Sequence, residues 1–232
     1  MIGFDPLYFI IVGPGMLIAL WASFKVKSTF ARYQTVAIGN RMSGAQIAEA
    51  LLDRAGIREV TVEQYQGVLT DHYDPKAKVV YLSPDVYYGR SVSSIGVAAH
   101  EVGHAIQHAE HYSAMALRQG LVLPANIGSW VSYMVIILGL LLNLAGLVWF
   151  GIMIFSVVIA FQLVTLPVEL DASSRAKARL LDTGLITTEE ADGVKKVLTA
   201  AAMTYVAALI TSVLTLLYYV LRFTGGSSRS SD

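Results

Sequence analysis

The sequence predicts a mostly α-helical membrane protein with four transmembrane helices and a small cytoplasmic α+β unit. Hydrophobic residues make up 55% of the chain and charged residues 15%. The charges are also absent from three long stretches, residues 6–24, 119–168 and 197–221. A spanning helix needs about 20 apolar residues. The first and third stretches therefore fit one helix each, and the longer middle stretch fits two.

The boundaries of these stretches set the predicted organisation. The start of the chain lacks the basic residues of a cleavable signal, so the first span is expected to be retained. The predicted segments are a first transmembrane helix (1–24), a cytoplasmic α+β segment (25–118), a transmembrane hairpin of two helices turning near Asn143 and Gly146 (119–168), a cytoplasmic helical segment (169–196), a fourth transmembrane helix (197–223) and a flexible tail (224–232).

The basic residues predict the orientation. Ten Lys and Arg lie in 25–118 and five more in 169–196, whereas the opposite side receives only Arg222 and Arg229. Because loops rich in Lys and Arg stay inside the cell, both polar segments are expected in the cytoplasm and both termini outside. The formal net charge is +0, which gives no electrostatic reason to expect a nucleic-acid partner.

The polar segments carry short helix and strand patterns. Residues 43–56 predict an amphipathic helix between a Ser43 cap and a Gly56 stop. Two stretches rich in β-branched residues, 60–64 and 78–83, predict strands. The turn-prone DHYDP is expected to join them. Helical spacing of small and apolar residues predicts one long helix over 91–117, and further helices are expected over 169–181 and from TTEEAD at 187.

The segment AAHEVGHAIQHAEH holds four of the five histidines and contains His-Glu-x-x-His. On a helix, residues four apart share a face, so His100 and His104 can direct ring nitrogens at one metal ion. Imidazole suits zinc. Glu101, next to His100, is the candidate general base that takes a proton from a zinc-activated water. Gly103, a poor helix-interior residue, is expected to let another segment approach closely.

The other histidines of the segment are weaker candidates. His108 lies about 12 Å along the helix axis from His100, too far to share one ion with it. His108 and His111 are therefore interpreted as solvated or interfacial residues, or as residues that support the ligands.

Four stretches in order resemble one protein family. AAHEVGHAIQH, DHYDPKAKVVYLSPDVY, LPVELDASSRA and VLTAAAMTYVAAL are similar to the YugP-type neutral zinc metallopeptidases of bacterial membranes. The resemblance covers nearly the whole chain. It implies a membrane-bound metalloendopeptidase holding one zinc ion per chain in the bacterial inner membrane, distantly similar to the HtpX and CAAX-processing membrane proteases.

The resemblance also implies the third zinc ligand. In those proteases it is the Glu of a Glu-x-x-Ala-Asp motif, which Glu169-Leu-Asp-Ala-Ser173 matches except that Ser173 replaces the final Asp. Ser173 or Asp171 is then expected to take over part of that residue's support of the site. Asp171 is also a rival ligand. It lies about 200° round a helix from Glu169, so only one of the two can face the metal.

The main hypothesis is therefore a zinc endopeptidase whose active site lies on the cytoplasmic side. Its expected partners are the lipid bilayer and protein or peptide substrates, mostly membrane proteins, with homo-oligomers and membrane partner proteins left open. The strand KVVYLS is expected to pair with an extended substrate by edge addition. One alternative is an intramembrane site-2-like zinc protease with the motif inside a span and Asp171 as ligand. Another is a non-enzymatic four-span metal sensor, transporter or assembly protein.

Overall fold

The computed structural model describes residues 5–68 and 70–227, without the side chains of 225–227. Helices dominate, and a small sheet lies in the first half of the chain. The elements in order are α1 (Pro6–Gln34), α2 (Gly44–Arg54), β1 (Thr61–Gln64), β2 (His72–Asp74), β3 (Val79–Leu82), α3 (Pro84–Tyr87), α4 (Val92–Ala109), α5 (Ser113–Leu141), α6 (Ala145–Asp182) and α7 (Thr188–Ser227).

Four of the described helices are long and apolar enough to cross a membrane: α1, α5, α6 and α7. This confirms the predicted fold class. At about 1.5 Å of rise per residue, the 38 residues of α6 span far more than the roughly 30 Å of a hydrocarbon core. Helix α6 is therefore longer than one membrane crossing requires.

The chain forms two compact units. Within the described residues, the first contains 5–22, Leu117–Leu166 and 204–227. Its buried cluster is Ile136, Val148 and Ile152, with Leu216, Tyr219 and Phe223 packed against it. Many of its large apolar side chains are exposed, Trp130 at 79% among them. Apolar patches of this kind mark contact with lipid or a partner protein, and lipid contact follows here from the four apolar helices.

The second unit, Ser23–Ala116 and Pro167–Met203, holds the sheet and the polar helices. Its core forms where the apolar face of α2 packs against α4 and β3, with Ile47, Val80 and Ile95 fully buried. Helix α2 begins as expected: the Ser43 side chain accepts a hydrogen bond from the Gln46 backbone N–H, and the Gln46 side chain accepts one from the Ser43 backbone N–H. Such a capping box satisfies two backbone donors that the first turn leaves free.

The sheet has a third strand that the sequence does not predict. Residues of the DHYDP stretch, expected to form only a turn, form β2, which pairs antiparallel with β3, while β1 pairs with β3 in parallel. The strand order is β1-β3-β2. The edge-addition prediction for KVVYLS is therefore wrong, because its strand β3 is central and bonded on both sides. In this sheet the edges are β1 and β2.

The single helix predicted over 91–117 is also wrong. Helix α4 ends at Ala109, and α5 begins at Ser113. Between them His111 adopts φ 54°, a left-handed conformation that ends a helix. The Tyr112 N–H then donates to the Gln107 carbonyl at 2.9 Å, which satisfies a carbonyl of the last turn of α4.

The later helices are longer than predicted. The turn near Asn143 is confirmed, with φ 53° at that residue. Pro167 lies inside α6, so the helix expected over 169–181 continues the helix before it. Helix α7 continues to Ser227, so the start of the predicted flexible tail is helical, and residues 228–232 lie outside the described part of the chain.

Candidate metal centre

Helix α4 presents the two histidines of the His-Glu-x-x-His motif on one face. The helix is capped by Ser91, whose side chain accepts a hydrogen bond from the Ser94 backbone N–H. The ring centroids of His100 and His104 lie 4.7 Å apart, as the four-residue spacing requires. The side chain of His104 is 7% exposed and that of His100 is 16% exposed. The pair therefore opens to solvent mainly at His100.

Helix α6 brings Glu169 to this face. A Cβ atom added to Gly103 would lie 2.5 Å from the Ala172 carbonyl oxygen, so only glycine permits the observed approach of α6 to α4. This confirms the close approach expected at Gly103. The Glu169 Oε2 atom lies 3.1 Å from the His100 Nε2 atom and 3.6 Å from the His104 Nε2 atom.

The three side chains have the donor set of a zinc site. Each offers one ligand atom, and these atoms lie within 4.8 Å of one another. Two imidazole nitrogens and one carboxylate oxygen are a ligand set of catalytic zinc, with the remaining position left to water or substrate. Glu169 is only 2% exposed. A buried carboxylate between two imidazoles fits a cation, since a buried charge needs a partner.

The electrostatic environment of His104 also fits a bound cation. Burial favours the neutral ring, but the hydrogen bond to Glu169 and the charges of Glu101 and Glu169 outweigh burial and raise the pKa of His104 above its ordinary value. Two carboxylates therefore make the position beside His104 favourable for positive charge.

Glu101 is buried beside this group without belonging to it. It is 7% exposed, and the group of three potential ligands contains His100, His104 and Glu169. Its charge acts on His104, so this carboxylate lies close to the three potential ligands without being one of them.

The residues expected to support the ligands lie in different environments. The Ser173 Oγ atom lies 3.1 Å from the His100 Nδ1 atom, on the side of the ring away from Glu169. Asp171, the rival ligand, instead accepts hydrogen bonds from Gln107 at 2.7 Å and from Arg175 at 2.5 Å.

His108 has a different environment. Its Nδ1 atom lies 2.8 Å from the Tyr73 hydroxyl. Burial, followed by the charges of Glu59 and Asp74, raises the pKa of Tyr73 to about 12, so this hydroxyl stays protonated and can donate to His108. The two other histidines of the AAHEVGHAIQHAEH segment, His108 and His111, line a cavity of about 210 Å³.

Gln107 is the residue of this region that sequence reasoning missed. Its side chain is fully buried, and its Oε1 atom lies 3.0 Å from the His104 Nδ1 atom. The signal was its place three residues after His104, where a helix brings side chains together. A glutamine carries no charge and is common on helix surfaces, so the sequence alone gives only a weak signal.

Comparison with known proteins agrees with this geometry. The model of a family described as "Putative neutral zinc metallopeptidase" matches residues 8–224. The chain belongs to this family.

Membership in this neutral zinc metallopeptidase family is supported by a curated relative. The chain is 48% identical over 209 residues to the "Putative membrane protease YugP" of Bacillus subtilis (strain 168), covering 90% of this chain and 93% of that relative. No solved structure matches the chain. The family and the four apolar helices together establish a multi-pass membrane protein of the zinc metallopeptidase class, with zinc as its cofactor.

Proposed function

We propose that this protein is an endopeptidase that hydrolyses peptide bonds with one zinc ion held by His100, His104 and Glu169 and with Glu101 as general base. The observation that supports this most is the convergence of the three ligand atoms within 4.8 Å next to a second buried carboxylate. A site that only binds metal needs the three ligands but has no use for Glu101.

The chemistry divides between the metal and the chain. Bound zinc would lower the pKa of a water molecule and polarise the substrate carbonyl. The Glu101 carboxylate accepts the proton of the attacking water and then gives it to the nitrogen of the leaving amine. The burial of His104 and Glu169 keeps bulk water from these two side chains, which strengthens their electrostatic interactions.

The intramembrane alternative has less support. Helix α4, which carries the motif, is not among the four described helices that could span a membrane. Asp171, the ligand that this alternative requires, bonds to Gln107 and Arg175. We therefore propose that the site belongs to the second unit, which holds the sheet and the polar helices. As substrates we propose membrane proteins or their exposed segments.

Removal and return of zinc tests the function. Protein purified in detergent should contain about one zinc per chain and should cleave an unfolded substrate such as casein. A chelator should abolish cleavage because the residues alone do not activate water, and added zinc should restore it. Metal analysis and cleavage are measured on the same samples. Cleavage that persists after the zinc has been removed would show that the proposed mechanism is wrong.

We also propose that the protein lies in the bacterial inner membrane with its site on the cytoplasmic side. The distribution of the basic residues supports this orientation. Lys27, Lys76, Lys195 and Asn143 are all exposed, and the chain contains no cysteine. Single cysteines can therefore be placed at these positions and treated with an impermeant thiol reagent in intact cells. Labelling is expected at position 143 and at none of the lysine positions. Labelling of the lysine positions with protection of position 143 would show that the topology is the reverse of the proposed one.

A further inference from the structure

We propose that Gln107 is a positioning residue that fixes the ring of His104 with the Nδ1 atom protonated and the Nε2 atom turned to the metal. The proposal rests on the proposed role of His104 as a zinc ligand. It concerns a residue outside the His-Glu-x-x-His motif and outside the set of three ligands.

The orientation of the Gln107 amide is determined by its neighbours. Its Nε2 atom lies 2.8 Å from the Val168 carbonyl oxygen and 2.7 Å from the Asp171 Oδ2 atom. Both of these groups accept hydrogen bonds, so the two N–H bonds of the amide must face them. A reversed amide would place its oxygen against two acceptors. The Oε1 atom of Gln107 is therefore the atom that faces His104.

The orientation of the amide decides which His104 nitrogen carries a proton. The Oε1 atom is only an acceptor, and it lies 3.0 Å from the His104 Nδ1 atom. Nδ1 must then be the donor. In the neutral ring this leaves the lone pair on Nε2, and Nε2 is the atom that faces Glu169, 3.6 Å from its Oε2 atom.

Asp171 and Arg175 hold the amide in this orientation. The Asp171 Oδ2 atom accepts a second hydrogen bond from Arg175 Nε at 2.5 Å, and the Arg175 guanidinium also forms an ion pair with Glu110 at the end of α4. The bond to Val168 ties the amide to the backbone of α6 just before Glu169. The same side chain therefore positions His104 and links α4 to the segment that supplies the carboxylate ligand.

The two histidines are supported differently. His100 is held at Nδ1 by Ser173, and a hydroxyl can either donate or accept. Only the carbonyl oxygen of Gln107 imposes one tautomer. The network thus holds the Nδ1 proton of His104, the more buried histidine, in one position.

Zinc affinity is the direct test. Partners that orient a metal-bound histidine typically contribute about 10–100-fold to metal affinity. Gln107→Met keeps the side-chain size but removes every hydrogen bond, and it should weaken zinc binding by that factor in competition with a chelating dye. The visible absorption of the cobalt-substituted protein should change as well. Val80→Ala, at a buried position of the same unit, controls for lost stability and should leave zinc affinity within about threefold.

A measurement on the wild-type protein does not depend on the folding of a variant. In zinc-loaded protein labelled with ¹⁵N and ¹³C at histidine, NMR should show His104 bound through Nε2 with a proton on Nδ1. Coordination through Nδ1, or wild-type zinc affinity in folded Gln107→Met, would overturn the proposal. Wild-type protein that binds no zinc would instead refute the proposed function, so the two failures are distinguishable.

Discussion

Replacing Glu101 with Gln is expected to lower the rate of peptide cleavage by roughly 10²–10⁴-fold, the usual contribution of a general acid–base residue. The amide has the shape of the carboxylate but cannot accept the proton of the attacking water. Glu101 lies outside the group of three ligand residues, so zinc content should remain at about one per chain. Initial rates of casein cleavage and metal analysis on the same preparation measure both effects.

The matched control is Glu49→Gln. Glu49 is exposed on α2, and the same loss of one negative charge there should leave the cleavage rate unchanged. If Glu101→Gln loses zinc together with activity, Glu101 is a zinc ligand. Full cleavage activity in the zinc-loaded variant would show that Glu101 is not the general base.

The features that follow a local rule could be predicted from the sequence. The charge-free stretches determine where the spanning helices run, because an apolar layer excludes charges over about 20 residues. The spacing of His100 and His104 places both rings on one helix face whatever the rest of the chain does. Gly103 indicated a close approach because glycine is unfavourable inside a helix unless space requires it.

The features that depend on tertiary contacts could not be predicted. Residues His72–Asp74 form a strand only because β3 lies beside them, and their polar composition indicates a turn. The break between α4 and α5 needs a residue in the left-handed conformation. That residue is His111, and the sequence has no glycine there to indicate it. Gln107 acquires its role from Val168 and Asp171, more than sixty residues later in the chain.

The positions of Glu169 and Asp171 in the structure support the proposal that Glu169 is the ligand, a choice that their spacing in the sequence leaves open. The sequence states only that the two side chains lie on different faces of a helix. In the structure Glu169 Oε2 lies 3.1 Å from His100 Nε2, whereas Asp171 bonds to Arg175 and Gln107. One carboxylate is directed at the potential ligands and the other at the residues that hold them.

Glu169→Ala is therefore expected to lose zinc and cleavage together, whereas Asp171→Ala keeps zinc with reduced affinity. Two imidazoles alone leave a catalytic zinc one protein ligand short, so the loss in Glu169→Ala should exceed the roughly 10–100-fold typical of residues that only orient ligands. Asp171→Ala removes one acceptor of the Gln107 amide, and its loss should stay within that range. Both variants are compared for zinc affinity by dye competition and for folding by circular dichroism. Zinc lost in folded Asp171→Ala but retained in Glu169→Ala would reverse the assignment and favour the intramembrane alternative.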